Sequence, residues 1–228
     1  NSQRQWAEFG IGIRGEMNSA PVFVRTADDW LLFGGQYGQG LYKRTTATGA
    51  NWSHNSEPYF AERTVKIGNQ LLGCGAKGTY RAPLGGSDFQ WSLLNSQTGY
   101  LLEMNGKPYL AAADGSLHRS DDGGQTWVQT GTVPGTSYDG SLDVADGRLF
   151  FKNNNDILVS TNEGQSWNVQ YSFPPNINLI GSSRMYSAGN ALFVSYTQEQ
   201  KIFRSVDNGV TFNALPSVPQ SPQQGFFR

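Results

Sequence analysis

A unit of about 40 residues recurs along the chain, and this repeat constrains the fold more than any other feature of the sequence. Each unit contains a tight polar turn, short apolar runs that alternate with polar residues, a polar hairpin and a closing aromatic. The closing aromatics are Trp52, Trp91, Trp127, Trp167 and Phe212, which lie 39, 36, 40 and 45 residues apart. Such a period, with several short strands per unit, is typical of propeller blades. The sequence therefore predicts an all-β propeller of about five four-stranded blades.

The two ends of the chain leave the number of blades open. Trp6 stands 46 residues before Trp52, and residues 225–228 (GFFR) resemble residues 21–25 (PVFVR). We interpret the chain as a single propeller domain, 1–228, in which 1–9 and 217–228 are closing strands or part of a sixth blade. It begins with Asn1 rather than methionine, so it is expected to be processed or part of a longer chain. The blades are expected at approximately 10–56, 57–95, 96–132, 133–172 and 173–216.

Three polar hairpins share one octapeptide pattern, and we call them the octapeptide hairpins: 120–127 (SDDGGQTW), 160–167 (STNEGQSW) and 205–212 (SVDNGVTF). A short carboxylate or amide at the third position can accept N–H bonds from its own turn. Glycine at the fifth position can adopt a positive φ, and the final aromatic can bury a large area between blades. These roles are structural rather than catalytic. They are assigned to Ser120, Asp122, Gly124, Trp127, Ser160, Asn162, Gly164, Trp167, Ser205, Asp207, Gly209 and Phe212.

The octapeptides resemble the Asp-box, also called the bacterial neuraminidase repeat, of the sialidase-like superfamily. The resemblance implies that each box folds the hairpin between the third and fourth strands of a blade, on the face away from an active site. It also implies that an active sialidase would grip a carboxylate with three arginines. The candidates in this chain are Arg14, Arg25, Arg63 and Arg184, but their spacing singles none of them out. We therefore expect no sialidase activity.

A glycoside hydrolase of sialidase-like type remains the alternative to a non-catalytic protein. Hydrolysis by two carboxylates needs a pair of acids a few ångströms apart near the mouth of the central channel. The candidate acids are Glu62, Glu103, Asp139 and Asp143, which do not fall at one equivalent position of the blade. We interpret these four acids as solvated loop residues, so no catalytic residue is assigned.

The composition of the chain excludes several classes of partner and cofactor. Lys and Arg number 17 and Asp and Glu 18, for a formal net charge of −1, whereas a general nucleic-acid binder needs a basic surface. No apolar run approaches the roughly 20 residues that cross a bilayer as a helix. The single cysteine, Cys74, and the widely separated His54 and His118 form no metal-ligand pattern. We therefore expect no cofactor, no metal, no nucleic acid and no membrane span.

The loops opposite the octapeptide hairpins carry the residues suited to binding a ligand. Tyrosine offers a flat apolar face, and amide and charged side chains offer hydrogen-bonding edges. Because these loops differ from blade to blade, they favour one asymmetric site. The sequence predicts a non-catalytic binding module for a carbohydrate (lectin-like) or a protein, and the repeat implies a secreted, periplasmic or cell-surface location. The candidate ligand-binding residues are Gln36, Tyr37, Lys77, Asp114, Tyr138, Asn154 and Gln198.

Overall fold

The fold is taken from a computed structural model. The structure describes residues 22–25, 29–33, 41–45 and 53–55 by their backbone alone. It describes residues 64–75, 77–83, 91–135, 141–177, 179, 183–196 and 201–216 with their side chains. Within these ranges every regular element is a β-strand, so the all-β prediction is confirmed for the part of the chain described. That part contains no helix long and apolar enough to cross a membrane.

The strands form five four-stranded antiparallel sheets, each in chain order. The first sheet is β1 (Val22–Arg25), β2 (Asp29–Phe33), β3 (Leu41–Thr45) and β4 (Ser53–Asn55). The second is β5 (Thr64–Ile67), β6 (Gln70–Gly75), β7 (Gly78–Pro83) and β8 (Ser92–Asn95). The third is β9 (Tyr100–Met104), β10 (Lys107–Ala111), β11 (Ser116–Arg119) and β12 (Val128–Thr132). The fourth is β13 (Leu142–Ala145), β14 (Arg148–Asn153), β15 (Asp156–Ser160) and β16 (Asn168–Ser172). The fifth is β17 (Met185–Ala188), β18 (Ala191–Tyr196), β19 (Lys201–Ser205) and β20 (Asn213–Ala214).

In each of the four sheets after the first, a two-residue turn joins the first and second strands and fixes their register. In β9–β10 the turn is Asn105-Gly106, and in β13–β14 it is Asp146-Gly147. Both residues of each turn have positive φ, at 54° and 78° in the first and 48° and 65° in the second. Turns of this kind match the right-handed twist of the flanking strands, which is why Asn-Gly and Asp-Gly are favoured there.

Neighbouring sheets pack through their first strands: β5 contacts β9, β9 contacts β13, and β13 contacts β17. Each junction is filled by one apolar cluster. Leu72 packs with Leu101 and Leu110 at the first junction, and Leu117 lies in one cluster with Leu149 at the second. Phe150 lies in one cluster with Leu192 at the third junction. Since full burial of a leucine contributes roughly 1.5–3 kcal/mol, these junctions stabilise the stack of sheets.

The structure therefore shows a β-propeller with four packed four-stranded blades, β5–β8, β9–β12, β13–β16 and β17–β20. The sequence predicted about five blades, and the difference comes from the first sheet. Sheet β1–β4 has the strand order of a blade but is described by its backbone alone, so it is counted as a sheet and not as a packed blade. The predictions for residues 1–9 and 217–228 lie outside the described residues.

Candidate functional site

Antiparallel strands in chain order give each blade two different ends. The turn between the first two strands and the hairpin between the last two lie at one end, which we call the hairpin face. The Asn208 amide on one hairpin donates to Asp146 Oδ2 in the neighbouring blade's turn, at 3.0 Å. The turn between the second and third strands lies at the other end, the turn face. There the N–H groups of Val133 and Phe173, beyond the outer strands, donate to the carbonyls of Gly115 and Asn155 at 2.8 Å each.

The hairpin 120–127 uses its polar side chains to close its own turn. The Ser120 hydroxyl donates to Asp122 Oδ1 at 2.8 Å and accepts the Gly124 N–H at 2.7 Å. The Asp122 carboxylate also accepts the Thr126 hydroxyl at 2.6 Å and the Thr126 and Gln125 N–H groups at 2.9 and 3.0 Å. These bonds, led by the Thr126 hydroxyl, lower the pKa of Asp122 to about 2. The carboxylate is thus committed to the turn as an ionised acceptor.

The other two hairpins repeat this arrangement. In 205–212, Asp207 accepts the Thr211 hydroxyl and N–H, the latter at 3.0 Å, and its pKa is likewise lowered to about 2, chiefly by the Thr211 hydroxyl. In 160–167, Asn162 replaces the carboxylate: Oδ1 accepts the Ser166 N–H at 3.0 Å, and Nδ2 donates to Ser166 Oγ at 2.9 Å. An amide therefore forms the same turn without a charge.

Each octapeptide hairpin also binds the outer strand of the preceding blade. In all three, a backbone carbonyl at the fourth or fifth position of the octapeptide accepts a hydrogen bond from that strand. In the hairpin 160–167, an ion pair at 2.6 Å also joins Glu163 to Arg119 of β11 in the preceding blade. The hairpins thus fasten consecutive blades. The bonds run from Asn95 Nδ2 to the Gly124 carbonyl (2.7 Å), from Thr130 Oγ1 to that of Glu163 (3.1 Å), from the Thr132 N–H to that of Gly164 (3.0 Å) and from Gln170 Nε2 to that of Asn208 (3.0 Å).

Gly164 shows why the fifth position is glycine. Its φ is +81°, in the left-handed region that L side chains rarely adopt. A Cβ at this position would lie 2.8 Å from Leu117 Cδ2 and 3.1 Å from the Thr132 carbonyl oxygen, both in the preceding blade. The hairpin therefore approaches its neighbour closely enough that only glycine fits.

The closing aromatics lie at the junctions between blades. Phe212 is buried, and its ring centroid lies 5.1 Å from that of Tyr171 and 5.2 Å from that of Phe173. Trp167 is partly buried and donates through Nε1 to the Thr132 carbonyl at 2.7 Å. Trp127 is partly buried against the cluster at the first junction. All three rings thus contact the preceding blade or the cluster that it shares with their own.

On the turn face, Lys77, Asp114 and Asn154 occupy corresponding turns of three consecutive blades, and all three are exposed. Their side chains are a cation, an anion and a neutral amide, so the three turns present different chemistry. The structure thus brings three of the predicted ligand-binding residues to one end of the strands. The other four, Gln36, Tyr37, Tyr138 and Gln198, lie outside the described residues.

A chain of three polar groups runs from Asp114, in the turn before β11, to Ser116 and His118 in that strand. The Ser116 hydroxyl lies 2.5 Å from Asp114 Oδ1 and 2.7 Å from His118 Nε2, and the Ser116 N–H also donates to Asp114 at 2.9 Å. Hydrogen bonds from Ser116, the hydroxyl first, lower the pKa of Asp114. An ionised carboxylate only accepts, so the hydroxyl donates to Asp114 and can accept from His118 only where the imidazole carries its N–H on Nε2. Sequence reasoning missed Ser116 and His118, although their alternation after Asp114 was a usable signal.

The acids and arginines considered as catalytic candidates do not form one cluster among the described residues. Glu103 Oε1 accepts the Gly106 N–H at 2.7 Å in its own turn. Asp143 is buried and accepts the N–H groups of Val144 and Ser187, at 2.9 and 2.7 Å, which ties β13 to β17. Glu62, Asp139, Arg14 and Arg63 lie outside the described residues, Arg25 lies in β1 with its backbone alone described, and Arg184 directly precedes β17. The described side chains include no group of three potential metal ligands.

Comparisons with known proteins agree with the fold. No family model matches the chain. The chain is similar to the xyloglucanase Xgh74A of Acetivibrio thermocellus, with 29% identity over 140 residues, covering 46% of this chain and 17% of that enzyme. Among solved structures it is similar to the extracellular domain of a one-component system from B. thetaiotaomicron, with a TM-score of 0.55 and 10% identity over 90% of this chain and 28% of that one. The likeness to this solved structure and the stacked sheets define the chain as a β-propeller protein. It spans less than a third of the length of either relative.

Proposed function

We propose that the chain is a non-catalytic carbohydrate-binding module whose ligand lies on the turn face. The observation that carries this proposal is the difference between the two faces. The hairpin carboxylates Asp122 and Asp207 are occupied by bonds within their own turns, whereas Lys77, Asp114 and Asn154 are exposed and differ from blade to blade. Similarity to a xyloglucanase supports a polysaccharide as the class of ligand.

The Asp114–Ser116–His118 chain supplies hydrogen-bonding groups suited to a sugar. Both bonds from Ser116 to Asp114 end on Oδ1, so Oδ2 is available to accept from a ligand hydroxyl. Lys77 adds a donor, and Asn154 adds both a donor and an acceptor. Directional polar groups of this kind fix the orientation of a sugar, and the apolar sugar face then packs against an aromatic side chain. Tyr37 and Tyr138 are proposed for that role.

Calorimetric titration with xyloglucan oligosaccharides tests the proposal, with a glycan array to widen the choice of sugar. Asp114→Asn should weaken binding by roughly tenfold, because one charge-assisted hydrogen bond contributes about 1.5–3 kcal/mol. Asp121→Asn is the matched control, since it makes the same change on an exposed residue of the hairpin face. Equal losses in the two variants, or no binding of any glycan by the unmodified chain, would contradict the proposal.

A glycoside hydrolase is the second candidate, and the similarity to a xyloglucanase is the observation that favours it. Release of reducing ends from xyloglucan and from chromogenic glycosides separates it from the binding module. The binding proposal predicts no release above a buffer blank. Release above that blank which co-purifies with the folded chain and disappears when the chain is unfolded would establish the enzyme instead.

We further propose that the octapeptide hairpins are Asp-boxes, that β1–β4 is a fifth blade within residues 10–56, and that the chain acts outside the cytoplasm. Repetition of the same turn bonds in 120–127, 160–167 and 205–212 supports the first point. The shared strand order supports the second. The third is supported by the similarity to an extracellular domain. A protein or peptide ligand on the turn face is the outcome to expect if glycans fail to bind while a pull-down succeeds.

A further inference from the structure

The chain that leaves β16 is bound at two places by a single residue, Asn155, in the turn between β14 and β15. At the first place, the Phe173 N–H donates to the Asn155 backbone carbonyl at 2.8 Å. At the second, the Asn155 side-chain amide donates to the Ile177 carbonyl, and its Oδ1 accepts the Leu179 N–H at 2.9 Å. Asn155 thereby clasps residues 173–177 on the turn face, and we call these residues the clasped loop.

A buried lysine of the same blade reaches the end of this loop. Lys152 lies on β14, is 7% exposed, and donates through Nζ to the Leu179 carbonyl at 3.3 Å. The strand pairings place small side chains at the corresponding position of the other packed blades: Cys74, Ala111 and Ser195. Burying a charged amine opposes folding unless the group is well bonded. This blade therefore holds the loop with a group that the other packed blades do without.

The corresponding turn of the preceding blade forms only part of the clasp. There the Val133 N–H donates to the Gly115 carbonyl at 2.8 Å, as the Phe173 N–H does to that of Asn155. Gly115 has no side chain with which to bind the rest of the connection. Two departures from the preceding blade, at positions 152 and 155, thus act on the same stretch of chain.

The clasped loop presents two prolines and an amide close to Asn154. Pro174, Pro175 and Asn176 are all exposed, and the Ile177 N–H closes the loop by donating to the Pro174 carbonyl at 2.8 Å. The ring of each proline fixes its φ, which limits the conformations open to the loop. Asn154 directly precedes the clasping residue and is exposed as well. Rigid apolar groups and two amides therefore lie together on one part of the turn face.

These groups suit one unit of an uncharged sugar chain. Proline rings offer an apolar surface to the C–H face of a pyranose, and an amide both donates to and accepts from sugar hydroxyls. Of the two charged side chains in 152–156, Lys152 is buried, whereas Asp156 is partly exposed and accepts the Ser172 hydroxyl at 2.6 Å. The accessible charge here is negative, so a sugar that carries a carboxylate would be repelled.

We infer that the clasped loop forms part of the glycan site, where Pro174, Pro175 and Asn176 contact a neutral pyranose. Asn155 is a positioning residue, which holds the loop beside Asn154 and acts through it rather than by touching the sugar. This inference rests on the proposed function, and it specifies where on the turn face the glycan lies and which class of sugar is bound there.

Calorimetric titration of Asn176→Ala with a xyloglucan oligosaccharide tests the contact. Asn176 is exposed and the clasp bonds are made by its neighbours, so the variant should bind about three- to tenfold more weakly with an unchanged urea midpoint. Asn168→Ala is the matched control, because it makes the same change on an exposed residue of β16 and should bind as the unmodified chain does. Equal affinities in the two variants would overturn the inference.

The variant Asn155→Gly tests the positioning role, since it copies Gly115 and removes both side-chain bonds of the clasp. Without ligand, the Leu179 N–H should exchange faster with deuterium, and affinity for the oligosaccharide should fall about tenfold. Asn155→Asp keeps an acceptor for the Leu179 N–H and should give intermediate values of both. Faster exchange with unchanged affinity would show that Asn155 supports the fold alone, and unchanged exchange would show that the clasp is dispensable; either result overturns the positioning role.

A pair of xylo-oligosaccharides, one with and one without a glucuronic acid branch, tests the class of sugar. The neutral member should bind more tightly to the unmodified chain, and the preference should shrink in Asp156→Asn because the repelling charge is removed. Tighter binding of the acidic member would overturn the assignment of a neutral sugar.

The variant Asp114→Asn, measured in the same titrations, separates this inference from the proposed function. Weaker binding by Asp114→Asn together with full binding by Asn176→Ala and Asn155→Gly would retain the glycan site and exclude the clasped loop from it. No binding of any glycan by the unmodified chain would overturn both.

Discussion

The hairpin face and the turn face are built at the two ends of the same strands, yet they use polar side chains differently. On the hairpin face, buried serines and short acids or amides repeat the same bonds within their own turns in three blades, and backbone carbonyls of these hairpins accept hydrogen bonds from the blade before. On the turn face, the turns between the second and third strands hold Lys77, Asp114 and Asn154, which differ in charge from one blade to the next. The residues that repeat from blade to blade support the fold. The residues that differ from blade to blade lie on the surface where we propose a single ligand site.

The largest expected effect is the loss of a closing aromatic. Phe212→Ala should lower the free energy of unfolding by about 3–5 kcal/mol, because it leaves a cavity beside Tyr171 and Phe173. Urea denaturation measures the change. Val210→Ala is the control in the same hairpin, since Val210 is exposed and its truncation should alter stability by less than about 0.5 kcal/mol. Equal effects would contradict the role assigned to the aromatic.

A smaller effect is expected from a buried hairpin serine. Ser160→Ala removes the acceptor of the Gly164 N–H, a bond of 2.9 Å, and should cost about 1–3 kcal/mol because that N–H is left buried without a partner. Thr161→Ala, at the next residue, changes an exposed side chain and should cost little. Thermal and urea melts of the two variants compare them directly. A neutral Ser160→Ala would show that the turn holds without its serine.

The hairpin carboxylates predict a dependence of stability on acid. The pKa of Asp122 falls from its ordinary 3.8 to about 2 on folding, so its contribution to stability is present above pH 4 and is lost as the pH falls toward 2. Asp207 follows the same course. The variant Asp122→Asn, which copies Asn162 of the neighbouring hairpin, should flatten the decline of the urea midpoint between pH 4 and 2. An unchanged slope would mean that the Thr126 bonds do not stabilise the folded carboxylate.

The smallest effect on stability is expected on the turn face. Asp114→Asn keeps an oxygen that can accept from the Ser116 N–H and hydroxyl, and Asp114 is exposed. The free energy of unfolding of Asp114→Asn should stay within about 0.5 kcal/mol of that of the unmodified chain, while its affinity for glycan falls. A large loss of stability would show that Asp114 supports the fold and would contradict its assignment to the proposed ligand site.

The features that the sequence predicted are those set by neighbouring residues. The turn bonds of Asp122 and the positive φ of Gly164 follow from residue types within one octapeptide, so the pattern is sufficient to predict them. The strand order of the blades follows from the short period. These interactions need no knowledge of distant partners.

The features that it missed depend on residues far apart in the chain. Asn95 binds a carbonyl 29 residues away in the next blade, and Asp143 binds the N–H of Ser187, 44 residues away. The period alone could not show that Asp143 is buried between two blades. The chain from Asp114 to His118 is local, and it was missed because its members were considered singly rather than along one side of β11.

Hydrogen–deuterium exchange with and without saturating xyloglucan oligosaccharide tests the division between the two faces most directly. The account predicts slower exchange with ligand at 112–118 and 153–156 on the turn face and no change at 120–127, 160–167 and 205–212. Backbone amides exchange through local opening, so a bound ligand slows those that it covers or rigidifies. Protection concentrated in the octapeptide hairpins, with none at 112–118, would contradict the assignment of the hairpins to structure and of the turns to binding.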